Sequence, residues 1–153
     1  IRRQRQMCKE TVIRHGEPPA ILRFEDVKQE IQGILSIISS FKKSGYTSLG
    51  IVCKTETQAR ELSESLRVHT VDIHFLSNQS SAFIKGIIIT SSHMAKGLEF
   101  DEVIIPYVND KNYNSTIDKS MLYIAVTRAM HRLTLTYNGQ PSEFIPASSD
   151  QKF

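Results

Sequence analysis

Apolar positions along the chain change period several times, and each change marks an element. AILRF, from Ala20, reads as a strand, and EDVKQEIQGILSIISSFKK carries Val27, Ile31, Ile34, Leu35 and Ile38 at the spacing of an amphipathic helix. Gly45 marks the end of that helix, and SLGIVCK follows as a continuous apolar strand. Thr55 with Gln58 three residues later has the form of a capping box, opening a second helix that runs to about Arg67. VDIHFL reads as a strand, Asn78 to Ser81 as a polar turn, and KGIIIT as a strand buried on both faces. DEVIIPYV is a further strand, separated from KGIIIT by SSHMAKGLEF, which is long enough only for a loop with one helical turn. After the Asn-rich NDKNYNST loop, DKSMLYIAVTRAM predicts a largely apolar helix and RLTLTY an alternating strand, and PSEFIPASSDQKF reads as a frayed tail.

Buried strands alternating with helices predict an α/β domain with a mainly parallel sheet. KGIIIT and DEVIIPYV lack a full crossover helix between them, which leaves the topology of residues 68–106 open. Residues 1–19 are polar and basic, broken by Gly16 and the Pro18-Pro19 pair, and read as a lead-in from an upstream domain. Residues 20–140 form the expected single domain and 141–153 a C-terminal tail.

Composition narrows the class without naming a function. A chain of 153 residues with 40% hydrophobic and 23% charged residues has ordinary globular values. The net charge of +3 permits a nucleic-acid partner but is too small to identify one. Cys8 and Cys53 lie far apart with no clustered ligands, so neither zinc spacing nor a disulfide framework is supported and a reducing cytoplasm is expected. No apolar run approaches the ~20 residues of a membrane helix, and IRRQRQ lacks the apolar run of a signal peptide.

No G-x-x-x-x-G-K-[ST] phosphate loop, H-E-x-x-H pair or nucleophile elbow occurs in the sequence, so a self-contained hydrolase is poorly supported. Three segments nevertheless gather chemistry. CKTETQAREL runs a buried strand into a capped helix presenting Gln58 and Arg60 at the carboxyl edge of the sheet, where open α/β sheets bind ligands. Arg60 equally suits a surface ion pair on its own helix. TSSHMAKGLEF sets His93, Lys96, Gly97 and Glu99 on a loop after a buried strand. There Gly97 admits a close backbone approach, Glu99 can accept from a ribose hydroxyl, and His93 or the neighbouring serines can donate to phosphate oxygens. The same residues also suit a solvated turn. In MLYIAVTRAMHRLTL, Thr127 and Arg128 interrupt an apolar helix just before the last strand. Arg128 suits either a planar fork aimed at phosphate or a snorkelling cap on the helix C-terminus.

Taken in order, CKTETQAR, HMAKGLEF and LYIAVTRA resemble motifs IV, V and VI in the C-terminal motor domain of UvrD-like superfamily 1 helicases. The resemblance implies a RecA-like, three-layer domain of the P-loop NTPase type over residues 20 to 138. It implies that Arg60 and Arg128 reach the γ-phosphate of ATP, with Arg128 as an arginine finger. Gln58 would support that edge, Gly97 would lie near the phosphates, and Glu99 would contact the ribose. His93 with Ser91 and Ser92 would touch the nucleic-acid backbone, and Tyr123 and Thr127 are supporting positions. ATP and magnesium would be held mainly by a first motor domain absent from this segment, which alone should hydrolyse nothing. DNA is the implied nucleic-acid partner. Only Val68 to Lys85 separates motifs IV and V, without the large accessory domain of better-known members. That spacing is similar to the HelD branch, whose members release nucleic acid from RNA polymerase. A plain right-handed crossover would set Arg60 and Arg128 at opposite sheet edges, so their convergence is implied by the family alone. The rival to a motor is a non-catalytic docking scaffold on the same fold, and an upstream phosphate loop would discriminate the two.

Overall fold

The computed structural model describes residues 18–70, 72–77 and 85–146. The lead-in as far as residue 17, Cys8, the turn at Asn78 to Ser81 and residues 147–153 lie outside the described residues. In chain order the elements are β1 (Ala20–Phe24), α1 (Val27–Lys42), β2 (Ser48–Cys53), α2 (Glu56–Arg67), β3 (Ile73–Phe75), β4 (Gly86–Ser91), β5 (Phe100–Ile105), α3 (Thr116–Val126) and β6 (Ala129–Asn138).

All six strands form one parallel sheet in the order β1-β6-β5-β2-β4-β3. The open question between residues 68 and 106 resolves around β2. Ile51 is registered against Ile89 of β4 on one side and Ile104 of β5 on the other. The crossover from β4 to β5 is therefore made by the short 92–99 segment, which passes β2 without a helix.

Side chains on β2 alternate between the two sheet faces. Leu49, Ile51 and Cys53 pack with Ile34, Ile38 and Phe41 of α1 and Ala59, Leu62 and Leu66 of α2. Val52 belongs to the other face, with Phe100, Tyr113, Leu122 and Ala125. A sheet covered by helices on both faces explains why SLGIVC and GIIITS are apolar at nearly every position. Gly50 is required by packing: a Cβ there would meet the Phe100 ring at 2.5–2.7 Å.

Several local expectations need correction. In α1, Val27 is half exposed, whereas Glu30 is fully buried. The Glu30 carboxyl accepts from the Tyr107 amide at 2.8 Å, the Thr136 hydroxyl at 2.6 Å and the Asn138 side chain at 2.7 Å. These bonds replace water for a polar group that shares the buried helix face of Ile34, Ile38 and Phe41. α3 begins at Thr116, where Ser115 and Asp118 close a full capping box, and ends before Thr127. The expected frayed tail is packed as far as Ile145: Asn109 bridges Pro141, and the Ser142 hydroxyl donates to the Tyr113 carbonyl at 2.7 Å. Ile145 joins the core, so the domain extends beyond residue 140.

Candidate functional site

At the carboxyl edge of the sheet, β2 leads through Lys54 and Thr55 into α2. The Thr55 hydroxyl accepts from the Gln58 amide at 3.2 Å, but the Gln58 side chain donates to Asn112 Oδ1 at 2.8 Å. Only half of the expected capping box is therefore formed. Lys54 Nζ donates to the Asn112 carbonyl, pairs with Asp118 at 3.1 Å and lies 5.8 Å from the Tyr113 ring centroid. This Lys54–Asn112–Asp118 link was missed by sequence reasoning, since Lys54 is more than fifty residues from both partners with no shared pattern. Burial pushes the Asp118 carboxyl up, but donors from Asn114, Lys54 and Ser115 outweigh it and hold the group at about 2. Gln58 Oε1 and the Tyr113 hydroxyl are buried without a hydrogen-bond partner among the described residues. Arg60 is exposed, 3.5 Å from Glu56 one helical turn earlier and 5.0 Å from the Phe75 ring centroid.

The 92–99 segment starts at this same edge. The Ser92 amide and hydroxyl donate to the Cys53 carbonyl at 2.8 and 3.3 Å. Ser91 Oγ accepts from the Met94 amide at 3.3 Å, and the Ala95 amide reaches the Ser91 carbonyl at 3.0 Å. Both serines are buried, so their hydroxyls shape the turn, while His93 and Lys96 are exposed on it. Gly97 has φ +82°, a conformation costly for any residue with a Cβ. Exposed Glu99 follows, and the chain enters β5 at the amino edge.

Arg128 occupies that amino edge, between the end of α3 and the start of β6. Its carbonyl accepts from the Phe100 amide at 2.9 Å. Its guanidinium makes three separate bonds. Nε donates to the Ile124 carbonyl at 3.1 Å, Nη1 to the Leu98 carbonyl at 3.2 Å and Nη2 to the Thr127 hydroxyl at 3.1 Å. The Ile124 contact is the helix-capping geometry anticipated for this arginine. Every one of these acceptors is neutral. Arg60 pairs with Glu56, and Arg132 lies 3.6 Å from Glu102, whereas no carboxylate of the described residues pairs with Arg128.

The fold thus brings Arg128 to the carbonyl of Leu98, between Gly97 and Glu99 and thirty residues away in sequence. It does not bring Arg128 together with Arg60 and Gln58, which stand at the opposite edge. His93 lies with the second group, beyond the turn built by Ser91 and Ser92. Tyr123 is exposed on α3, and Thr127 contacts Arg128 directly. Among the described residues no helix is long and apolar enough to cross a membrane, and no group of three or more His, Cys, Asp or Glu could hold a metal ion.

Residues 73–140 match the family described as the UvrD-like helicase C-terminal domain. That span includes the 92–99 segment and Arg128 but stops short of Gln58 and Arg60. No curated protein matches the chain. Among solved structures, the C-terminal domain of a possible DNA helicase from Lactobacillus plantarum superposes with TM-score 0.78 at 25% identity, covering 90% of this chain and 84% of that one. The Arterivirus nonstructural protein 10 helicase, solved with DNA, gives TM-score 0.58 at 13% identity over 95% of this chain and 34% of that one. The Sulfolobus solfataricus SWI2/SNF2 ATPase core, solved with double-stranded DNA, gives TM-score 0.58 at 16% identity over 95% and 30%. This chain spans about a third of either of those two proteins, and at such identities they show the fold alone. The architecture is the RecA-like α/β fold of helicase C-terminal domains, and over residues 73–140 it carries the sequence pattern of the UvrD-like family.

Proposed function

We propose that this domain is the second motor domain of an ATP-dependent DNA helicase or translocase and supplies Arg128 as an arginine finger to ATP held by a first motor domain. The observation that carries the reading is the amino-edge cluster, in which an arginine without a carboxylate partner among the described residues is bonded to the carbonyl of Leu98, between Gly97 and Glu99. The donor set fits phosphate oxygens: a guanidinium has five N–H groups, three of those of Arg128 are bonded to Ile124, Leu98 and Thr127, and no carboxylate of the described residues pairs with it. In phosphoryl transfer a protein mainly positions groups and neutralises developing charge, a role an uncompensated guanidinium can fill. Bound ATP with magnesium supplies the transferable phosphoryl group. Arg128 offsets its charge, Gly97 allows close backbone approach, and Glu99 accepts from a ribose hydroxyl.

His93, exposed on the turn that Ser91 and Ser92 hold in shape, is assigned to the nucleic-acid backbone. Arg60 and Gln58 lie at that same edge and are proposed to act there or at the junction with the first motor domain, not beside Arg128. The short connection between α2 and β4, with only β3 among its described elements, supports the HelD branch and with it RNA polymerase as a partner in the cytoplasm. The 153-residue segment alone is expected to hydrolyse nothing.

The test is ATP hydrolysis by the full-length protein with and without single-stranded DNA. Arg128→Ala should lower turnover by about a hundredfold or more while nucleotide binding survives. Normal turnover in that variant refutes the arginine-finger reading and favours a docking scaffold.

A further inference from the structure

A flexible arginine must be ordered each time it meets a phosphate, and that ordering opposes catalysis. Arg128 is already ordered by three bonds from three different nitrogens, to Ile124, Leu98 and Thr127. Two of the acceptors are backbone carbonyls, fixed by the end of α3 and by the crossover segment. The third, the Thr127 hydroxyl, is itself oriented: it donates to the Ile124 carbonyl at 2.9 Å and accepts from Arg128 Nη2. With one N–H on each of Nε, Nη1 and Nη2 engaged, one N–H remains on each terminal nitrogen, a pair suited to two oxygens of one phosphate.

We infer that Thr127 is a positioning residue that presets the Arg128 fork, so that the finger is delivered by movement of the whole domain and not by a side-chain search. The inference rests on the arginine-finger reading. Loss of the hydroxyl would leave Nη2 without its anchor and the guanidinium free to turn about its remaining contacts. The domain would still place Arg128 at the nucleotide, but in fewer productive geometries. The effect should fall on the transition state more than on ground-state binding.

The experiment compares Thr127→Val, Thr127→Ala and Thr127→Ser with wild type and Arg128→Ala in the full-length protein, reading kcat and KM for ATP and the melting temperature of each. Val and Ala both lack the hydroxyl, so the effect can be read from either variant that stays folded. The expected result is a fall in kcat of about tenfold with KM for ATP within about twofold, the loss expected when one hydrogen bond that orients a transition-state contact is removed. Serine, which keeps the hydroxyl, should restore kcat. Wild-type kcat in the hydroxyl-free variants, with Arg128→Ala strongly impaired, overturns the positioning role and leaves the finger reading intact. So does failure of Thr127→Ser to restore turnover, or a parallel loss of kcat and affinity. Normal hydrolysis by Arg128→Ala instead removes the reading on which the inference rests.

Discussion

Replacing Gly50 by alanine tests how the fold holds the amino-edge cluster. The new Cβ would stand 2.5 Å from Phe100 Cδ2 and 2.7 Å from Cε2 and Cγ. Carbon atoms in contact prefer about 3.5–4.0 Å, so ring or strand must retreat by roughly 1 Å. The ring has little room, because Phe100 is fully buried and the Phe100 amide is bonded to the Arg128 carbonyl. β2 is held from both sides by β4 and β5. Overpacking of this kind costs about 2–3 kcal/mol, and for a domain this size that lowers the melting temperature by about 6–10 °C. Thermal unfolding followed by circular dichroism measures the shift. Phe100→Leu removes the clashing ring, so the double variant should be more stable than the sum of the two single costs by about 1 kcal/mol. An unchanged melting temperature for Gly50→Ala, or strictly additive losses, would refute the close-approach argument.

Three further outcomes are expected. Asp118, held at about 2, has a folded value below its ordinary one, so its contribution is present above about pH 4 and is lost as pH falls toward 2. Asp118→Asn should therefore be less stable at pH 7 and show a flatter stability profile between pH 4 and 2 in acid titrations followed by fluorescence. Burial, with the nearby Glu30 charge adding to it, pushes the Cys53 thiol far above its ordinary range, so mass spectrometry should find Cys53 unalkylated in native protein and modified after denaturation. Glu30→Ala should lower the urea midpoint by the equivalent of about 3 kcal/mol, because it strands the buried Thr136 hydroxyl and the part-buried Tyr107 amide, while Glu30→Gln costs less by keeping one acceptor oxygen.

Strands and helices were legible because each presents a periodic face, and the two runs GIIITS and SLGIVC announced a sheet covered on both sides. Glu30 was not legible, because it shares the helix face of Ile34, Ile38 and Phe41 but is a charged residue type, and only β6 and Tyr107 supply the partners that let it be buried there. Gly50 lay hidden in an apolar run, although a glycine inside a strand is a signal of close approach. Of the candidate site, the placement of Arg128 beside the Gly97–Glu99 stretch depends on how β4 reaches β5, which no local pattern specifies. The roles of Ser91 and Ser92 were legible only in part, since hydroxyls next to a loop look alike whether they face solvent or the Cys53 carbonyl. The separation of Arg60 from Arg128 follows from parallel topology, with Arg60 just after a strand end and Arg128 just before a strand start.

The most direct measurement of the central claim is the affinity of the full-length protein for ADP with aluminium fluoride, a mimic of the transferring phosphoryl group, beside its affinity for ADP alone. An arginine that acts on the transition state should matter for the first ligand and not the second. The account predicts that Arg128→Ala weakens the aluminium fluoride complex by about a hundredfold or more while ADP binding stays within about threefold of wild type. Equal affinity of wild type and variant for the aluminium fluoride complex would contradict it.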